Sequence, residues 1–185
     1  MIVPTFKTDR LILRQICEGD ADSYQKHFID YEVIRNLPNI VPWPYPKEGI
    51  KEFILTNILP NQGKDQWHWG IFLKENPIEM IGGIELWRDA NPDNRGFWLA
   101  RKFWGQGLMT EAMIPVTNYA FNELKFDKLI LSNALGNKAS HNIKGKVGAK
   151  LIRVESAQYV DPSFTQREIW ELHKSVWNRF VSNIK

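Results

Sequence analysis

The chain has 185 residues, 43% of them hydrophobic and 12% aromatic, enough to bury one substantial core and too few for a second independent domain. Its formal net charge of +3, with no lysine or arginine run, argues against a nucleic-acid-binding module, which presents a pronounced basic face. One cysteine, Cys17, precludes an intramolecular disulfide and fits a reducing compartment.

The opening residues, Met1-Ile2-Val3-Pro4-Thr5-Phe6-Lys7, hold no apolar leader core, and no window approaches the roughly 20 apolar residues that span a bilayer. The expectation is a soluble, cytoplasmic protein whose single domain covers residues 1–185, working without membrane or nucleic acid, as a monomer or homodimer.

Arg10-Leu11-Ile12-Leu13-Arg14-Gln15 is short and β-prone, so a first strand is expected there. Asp20 is placed to cap a helix reaching about Ile29, with Tyr24 and Phe28 turned inward. Four prolines in residues 37–46 forbid regular structure, and Trp43 and Tyr45 within that loop either pack on the domain or face a ligand. Residues 47–59 read as a helix with Ile50, Phe53, Ile54 and Ile58 on one stripe, ended by Pro60.

Residues 67–73 and 80–87 read as a hairpin, followed by a turn through residues 89–94 and a third strand from Arg95 to Ala100. Residues 108–124 are helical and residues 128–134 return to β pattern. That strand, loop, helix, strand order is a βαβ unit, whose two strands run parallel. Residues 138–147 are weakly helical, and 150–160 and 166–176 alternate as two closing strands. The expected fold is α+β: a mixed, mostly antiparallel sheet of about six to seven strands with one central parallel pair, flanked by helices.

Between the third strand and the long helix lies Arg101-Lys102-Phe103-Trp104-Gly105-Gln106-Gly107-Leu108-Met109-Thr110-Glu111-Ala112. Gly105 and Gly107 clear the backbone for an anion, and the helix's first amides lack intrahelical partners. A P-loop would need Lys-Ser or Lys-Thr after the second glycine, and a dinucleotide fingerprint a third glycine at Thr110; neither is present.

Phe97-Trp98-Leu99 with Phe103-Trp104-Gly105-Gln106-Gly107 and Thr110-Glu111-Ala112 resembles the acetyl-CoA pyrophosphate loop of GNAT acetyltransferases, and more narrowly the RimJ/RimL type. Thr8-Asp9-Arg10-Leu11-Ile12-Leu13-Arg14 resembles the T-x-R-L-x-L-R opening of that type. The resemblance implies acetyl-CoA as donor and CoA as product, with direct attack by an amine, either a protein N-terminus or a small amine such as an aminoglycoside or polyamine. It implies a cofactor site at Leu99, Ala100, Arg101, Lys102, Trp104, Gly105, Gln106, Gly107, Leu108, Met109 and Thr110, with the pantetheine arm lying between splayed parallel strands. It implies an acceptor wall that includes Trp43 and Tyr45.

Asn137-Lys138-Ala139-Ser140 resembles the N-x-x-S of RimJ/RimL relatives, where the asparagine contacts the cofactor and the serine sits near its sulfur; both residues also suit helix capping. Lys144, clustered with Lys138, Lys146 and Lys150, is either part of a solvated face or a counter-charge for cofactor phosphates. Lys144, Gly145 and Ala149 depart from the relatives' leucine-rich turn and L-G-F ending, which predicts a shorter, shifted or more mobile helix.

Asn94 stands where relatives carry a glutamate base. Glu85, charged within an apolar strand, is either the substitute base or a surface-facing strand residue, and His68 is either a base or a satisfied structural histidine. His173 and Tyr159 are lesser candidates, and no metal site is expected. A rival reading from these departures is a non-catalytic acyl-CoA-binding module.

Overall fold

Among the described residues, eight strands divide into two sheets because the chain breaks its ladder at one strand pair. The computed structural model describes residues 3–183; Met1 and Ile2 of the opening stretch lie outside the described residues. In chain order it contains β1 (Phe6–Lys7), β2 (Leu11–Gln15), a 3-10 turn (Glu18–Asp20), α1 (Ala21–Phe28), α2 (Tyr31–Ile34), α3 (Gly49–Phe53), a π-helical segment (Ile54–Ile58) and α4 (Leu59–Asn61). There follow β3 (Gln66–Leu73), β4 (Asn76–Trp87), β5 (Arg95–Leu99), a 3-10 turn (Arg101–Phe103), α5 (Leu108–Asn122), β6 (Lys128–Ala134), α6 (Lys138–Lys146), β7 (Lys150–Ser156), β8 (Gln166–His173) and α7 (Lys174–Ser182).

Strands β1 to β5 form an antiparallel sheet in sequence order, and β6-β8-β7 form a second antiparallel sheet. The expected α+β architecture of antiparallel sheet and flanking helices is present. The expected central parallel pair is not a ladder: β5 ends the first sheet and β6 begins the second. They meet at one point, where Asn94 N donates to Ile130 O at 2.8 Å and Ile130 N donates to Asn94 Oδ1 at 2.9 Å. Asn94 Nδ2 also donates to the carbonyls of Trp87 and Arg88 at 3.2 and 3.3 Å. Asn94 is 4% exposed, and this one buried side chain bonds three main-chain groups and joins the sheets.

Two apolar clusters lie on opposite faces of the five-stranded sheet. One contains Trp67, Trp69, Ile84, Leu86 and the inner stripe of α5, Leu108, Met109, Ala112, Met113, Val116, Ala120 and Phe121. The other contains Tyr24 and Phe28 of α1, Ile50, Ile54, Ile58, Phe72 and Trp98. Each buried large side chain contributes about 1.5–3 kcal/mol, so these two layers hold the strands. Side chains alternate along a strand, so His68 and Glu85 share the α1 face with Trp98, whereas their neighbours face α5.

Several local expectations are corrected. Asp20 does not cap α1; its carboxylate accepts from both terminal nitrogens of Arg14, at 2.9 and 2.7 Å, and from Cys17 N. The helix after the proline loop passes Pro60 to Asn61, proline being tolerated at the first turn of its last segment. The β3–β4 hairpin closes at Lys74-Glu75, with Leu73 opposite Asn76. The last strand stops at His173, and residues 174–182 form a helix. α6 runs through Gly145 to Lys146 as a regular helix, and Val176 of the unforeseen α7 lies against Gly148 while its Trp177 is fully buried.

Asn94→Ala should lower stability by about 1–3 kcal/mol in urea denaturation, because three part-buried main-chain partners lose their bonds. The Ile130 amide should then exchange with solvent faster than those of β8; unchanged protection of Ile130 would contradict the joint.

Candidate active site

The glycine loop is held by a carboxylate from the helix it precedes. Glu111 Oε1 accepts from the Thr8 hydroxyl at 2.6 Å and from Arg10 N at 2.8 Å, and Oε2 accepts from Arg10 Nε at 2.7 Å. Arg10 Nη1 donates to Gln106 O at 3.0 Å. Burial alone would raise the Glu111 carboxyl, and these hydrogen bonds outweigh it and hold the group below its ordinary range. Thr8 and Arg10 belong to one sequence motif and Glu111 to the other, so both are halves of one clamp.

Gly105 and Gly107 sit at φ +75° and +77°, in the left-handed region, and a Cβ on Gly105 would meet nothing within 4 Å. Glu111 N makes the first helical bond, to Gly107 O, leaving the amides of Leu108, Met109 and Thr110 open at the helix start. The Leu108 and Met109 side chains point into the core, at 2% and 6% exposure, so only their main chain can serve a ligand. An open loop, unpaired amides and the positive helix end together fit a pyrophosphate.

Between β5 and β6 the sheet opens beyond Asn94. Ala100 N donates to Ile81 O at 2.8 Å, so Ala100 belongs to the inner ladder, and alternation turns the main-chain groups of Phe97 and Leu99 toward the open side. This corrects the expectation for Ala100, whose amide is engaged by β4 and whose carbonyl accepts from Phe103 N. It also adds Phe97, which strand register would have revealed. The Trp104 indole donates to Leu99 O at 2.7 Å and so covers one of the outward groups. Arg101 and Lys102 are exposed and line a cleft of about 500 Å³ with Ala100, Lys26, His27 and Asp30. Glu79 ties this cleft together, its carboxyl held down at about 2 by Lys26 and then His27.

On the α5 face of the gap, α6 begins with Asn137, whose Oδ1 accepts from Ser140 N at 3.1 Å. The capping role therefore holds for Asn137, while its Nδ2 remains available. Lys144 corrects the expectation most. It is 1% exposed, so it is neither on a solvated face nor within reach of solvent-side phosphates, and its Nζ donates to Ser140 Oγ at 2.7 Å. Burial first, and then the Arg95 charge, push the Lys144 amine down to about 7, against the pull of Asp93 and Glu168. Arg95 is itself buried, and its Nε and Nη2 have no hydrogen-bond partner among the described residues.

On the α1 face, His68 Nδ1 lies 3.0 Å from Glu85 Oε2 and His68 Nε2 lies 3.1 Å from Gln66 Oε1. Gln62 bonds both the His68 amide and carbonyl, fixing the strand under the ring. Glu85 is thus both paired and partly open, its side chain 27% exposed. A Cβ on Gly96 would lie 2.5 Å from Glu85 Oε1, so this glycine of β5 provides the space over which the carboxylate reaches toward the gap. The buried Tyr24 hydroxyl stands close enough that burial and then the Glu85 charge raise it well above its ordinary value.

Tyr45 is half-buried, edge-on to Phe28 at 5.7 Å, so it packs; Trp43 is 43% exposed against Tyr31. The proline loop is stitched to residues 157–165 through Asn39 N to Gln158 O, Val160 N to Leu37 O and the Arg35–Asp161 ion pair at 2.7 Å. Tyr159 is buried in that seam, its hydroxyl raised by burial to about 12, and His173 is exposed at the end of β8 beside Glu171. Neither joins the cluster around the gap.

The chain belongs to the GNAT acetyltransferases: the acetyltransferase (GNAT) domain model matches residues 10–150. It is 30% identical over 153 residues to the uncharacterized N-acetyltransferase YoaA of Bacillus subtilis (strain 168), covering 78% of this chain and 82% of that protein. Its fold is similar to that of Mycobacterium smegmatis RimJ in complex with CoA-disulfide, with a TM-score of 0.80 at 12% identity over 97% of this chain and 93% of that one. It is also similar to ribosomal-protein-S5-alanine acetyltransferase from Vibrio fischeri, with a TM-score of 0.77 at 15% identity over 94% and 98% of the two chains. The protein is accordingly an acetyltransferase. Of the substitutions that favoured a mere binding module, Asn94 joins the sheets and Gly145 lies within a regular α6.

Glu111→Gln should cost about 1–3 kcal/mol at neutral pH by loosening the clamp. The folded carboxyl titrates below its unfolded value of 4.5, so this cost should be full above pH 4.5 and shrink as pH falls through the folded value. Urea denaturation across pH measures it, and a cost that stays constant on acidification would contradict the clamp.

Proposed function

We propose that this single-domain protein is an acetyl-CoA-dependent N-acetyltransferase of the RimJ/RimL type that passes acetyl directly to a primary amine. The observation that carries the reading is the open glycine loop at the mouth of a gap edged by the outward main chain of Phe97 and Leu99. Bound acetyl-CoA supplies a thioester carbonyl that an amine can attack.

The amides from Gln106 to Thr110 hold the pyrophosphate, with Arg101, Lys102 and Arg10 as counter-charges. Gly105 and Gly107 keep the approach clear. Phe97 and Leu99 align the arm by main-chain bonds once the Trp104 indole yields Leu99 O, and Asn137 Nδ2 meets an amide of the arm. Ser140 gives a proton to the departing sulfur.

An acceptor amine with a pKa near about 10 arrives charged, and Glu85, positioned by His68, takes its proton. The two proton-transfer groups therefore lie on opposite faces of the first sheet with the thioester between them. Trp43 and Tyr45 wall the acceptor side, and a protein N-terminus is favoured among acceptors by the ribosomal-protein acetyltransferase in the fold comparison. An aminoglycoside or polyamine is the alternative. The reading places the enzyme in the cytoplasm as a monomer or homodimer.

Acetyl-CoA should raise the melting temperature of the protein, since it binds the native state alone. Gly107→Val, which forces a branched side chain into a left-handed position, should abolish that rise, and a retained rise would locate the cofactor elsewhere. In thiol-release assays across peptide and small-amine panels, Glu85→Gln should lower kcat by about 10²–10⁴-fold and leave acetyl-CoA affinity unchanged. An unchanged rate would make Glu85 only a strand residue.

A further inference from the structure

A lysine is one atom longer than a methionine and far costlier to bury, so packing alone does not account for Lys144 in the interior of α6. Its Nζ sits one helical turn from Ser140 and donates to Ser140 Oγ at 2.7 Å, and both side chains are buried, at 1% and 7% exposure. We propose that Lys144 is a positioning residue that stands behind Ser140 as its proton reservoir, orienting the hydroxyl toward the thioester and replacing the proton it donates. The inference rests on the reading of Ser140 as the donor to the CoA sulfur.

The charged surroundings suit the task. From β5, Arg95 faces Lys144 and the Phe97 ring lies 5.9 Å from its Nζ; Asp93 acts from the preceding loop and Glu168 from β8. Glu168 is engaged by Asn133 and His141, and Asp93 by the Ser132 hydroxyl. Of the two buried cations, Arg95, lowered by burial to about 10, keeps its proton at neutral pH, whereas Lys144, pushed down to about 7, can release and regain one.

As the carbon–sulfur bond breaks and its electron pair passes to sulfur, Ser140 transfers its hydroxyl proton to that sulfur. Ser140 oxygen takes a proton from the Lys144 ammonium, which becomes a neutral amine. Glu85 holds the proton lost by the acceptor, and Lys144 is reprotonated by water when the gap reopens.

The test needs no amine acceptor. Slow release of CoA from acetyl-CoA with water as acceptor is followed against pH, beside the Lys144 Cε resonance of the unliganded protein. That resonance should titrate near 7. The saturated rate should fall as pH rises through the same midpoint, because a neutral Lys144 has no proton to return to Ser140. Lys144→Gln and Lys144→Met should each lower the rate and lose that alkaline limb, two variants guarding against misfolding of one. Titration of the resonance above pH 9, or the same limb retained in Lys144→Gln, would overturn the relay and leave Ser140 standing. An unchanged rate in Ser140→Ala would overturn both. Failure of acetyl-CoA to raise the melting temperature of the unsubstituted protein would instead sink the acetyl-CoA reading.

Discussion

One side-chain amide decides the shape of this molecule. Asn94 reaches from the start of β5 to Ile130 of β6 and back to Trp87 and Arg88, replacing a ladder with a single joint. A continuous parallel ladder would have sealed β5 against β6 and left no strand edge for a ligand. Pinned at one end, the two sheets part, and the main chain of Phe97 and Leu99 stays unpaired by any neighbouring strand. A glutamate at this position could accept from Ile130 N, but it could not also donate to two carbonyls. The residue that stands where relatives carry a base is therefore the joint at which β5 and β6 part.

The mouth of the gap depends on a second small set of bonds. Glu111 fastens the glycine loop to the turn between β1 and β2 through Thr8 and Arg10, and Arg10 reaches on to Gln106. Two sequence motifs a hundred residues apart thus describe one physical object, and each would be idle without the other. The same logic holds for Arg14 and Asp20, which tie β2 to the start of α1 while the guanidinium lies 3.9 Å over Phe72.

How far the sequence could be read follows from the range of the forces involved. The α5 stripe, the run of β6 and the buried faces of Tyr24, Phe28, Ile50 and Ile54 were legible because periodicity expresses them locally. The glycine loop was legible because left-handed backbone needs glycine wherever it occurs. The splitting of the sheet was not, since it turns on one asparagine and its partners 36 residues away. α7 was missed because residues 174–176 continue the alternation of β8, and only Trp177 packing into the core decides for a helix. Lys144 was misread as a surface charge because its neighbours Lys138, Lys146 and Lys150 are exposed; helical spacing from Ser140 carried the signal that would have paired them.

Glu85 with His68 lies toward α1, and Ser140 with Lys144 lies toward α5 and α6, so in the proposed mechanism the gap separates a proton acceptor from a proton donor. Such a division lets an amine lose a proton on one side while sulfur gains one on the other, without either group neutralising its opposite. The most direct measurement of this account is a crystal structure of the protein with CoA. The account predicts the pyrophosphate on the amides of residues 106–110, the arm running between β5 and β6 against Phe97 and Leu99, and the sulfur beside Ser140. CoA bound outside the gap, or β5 and β6 zipped together beneath it, would contradict it.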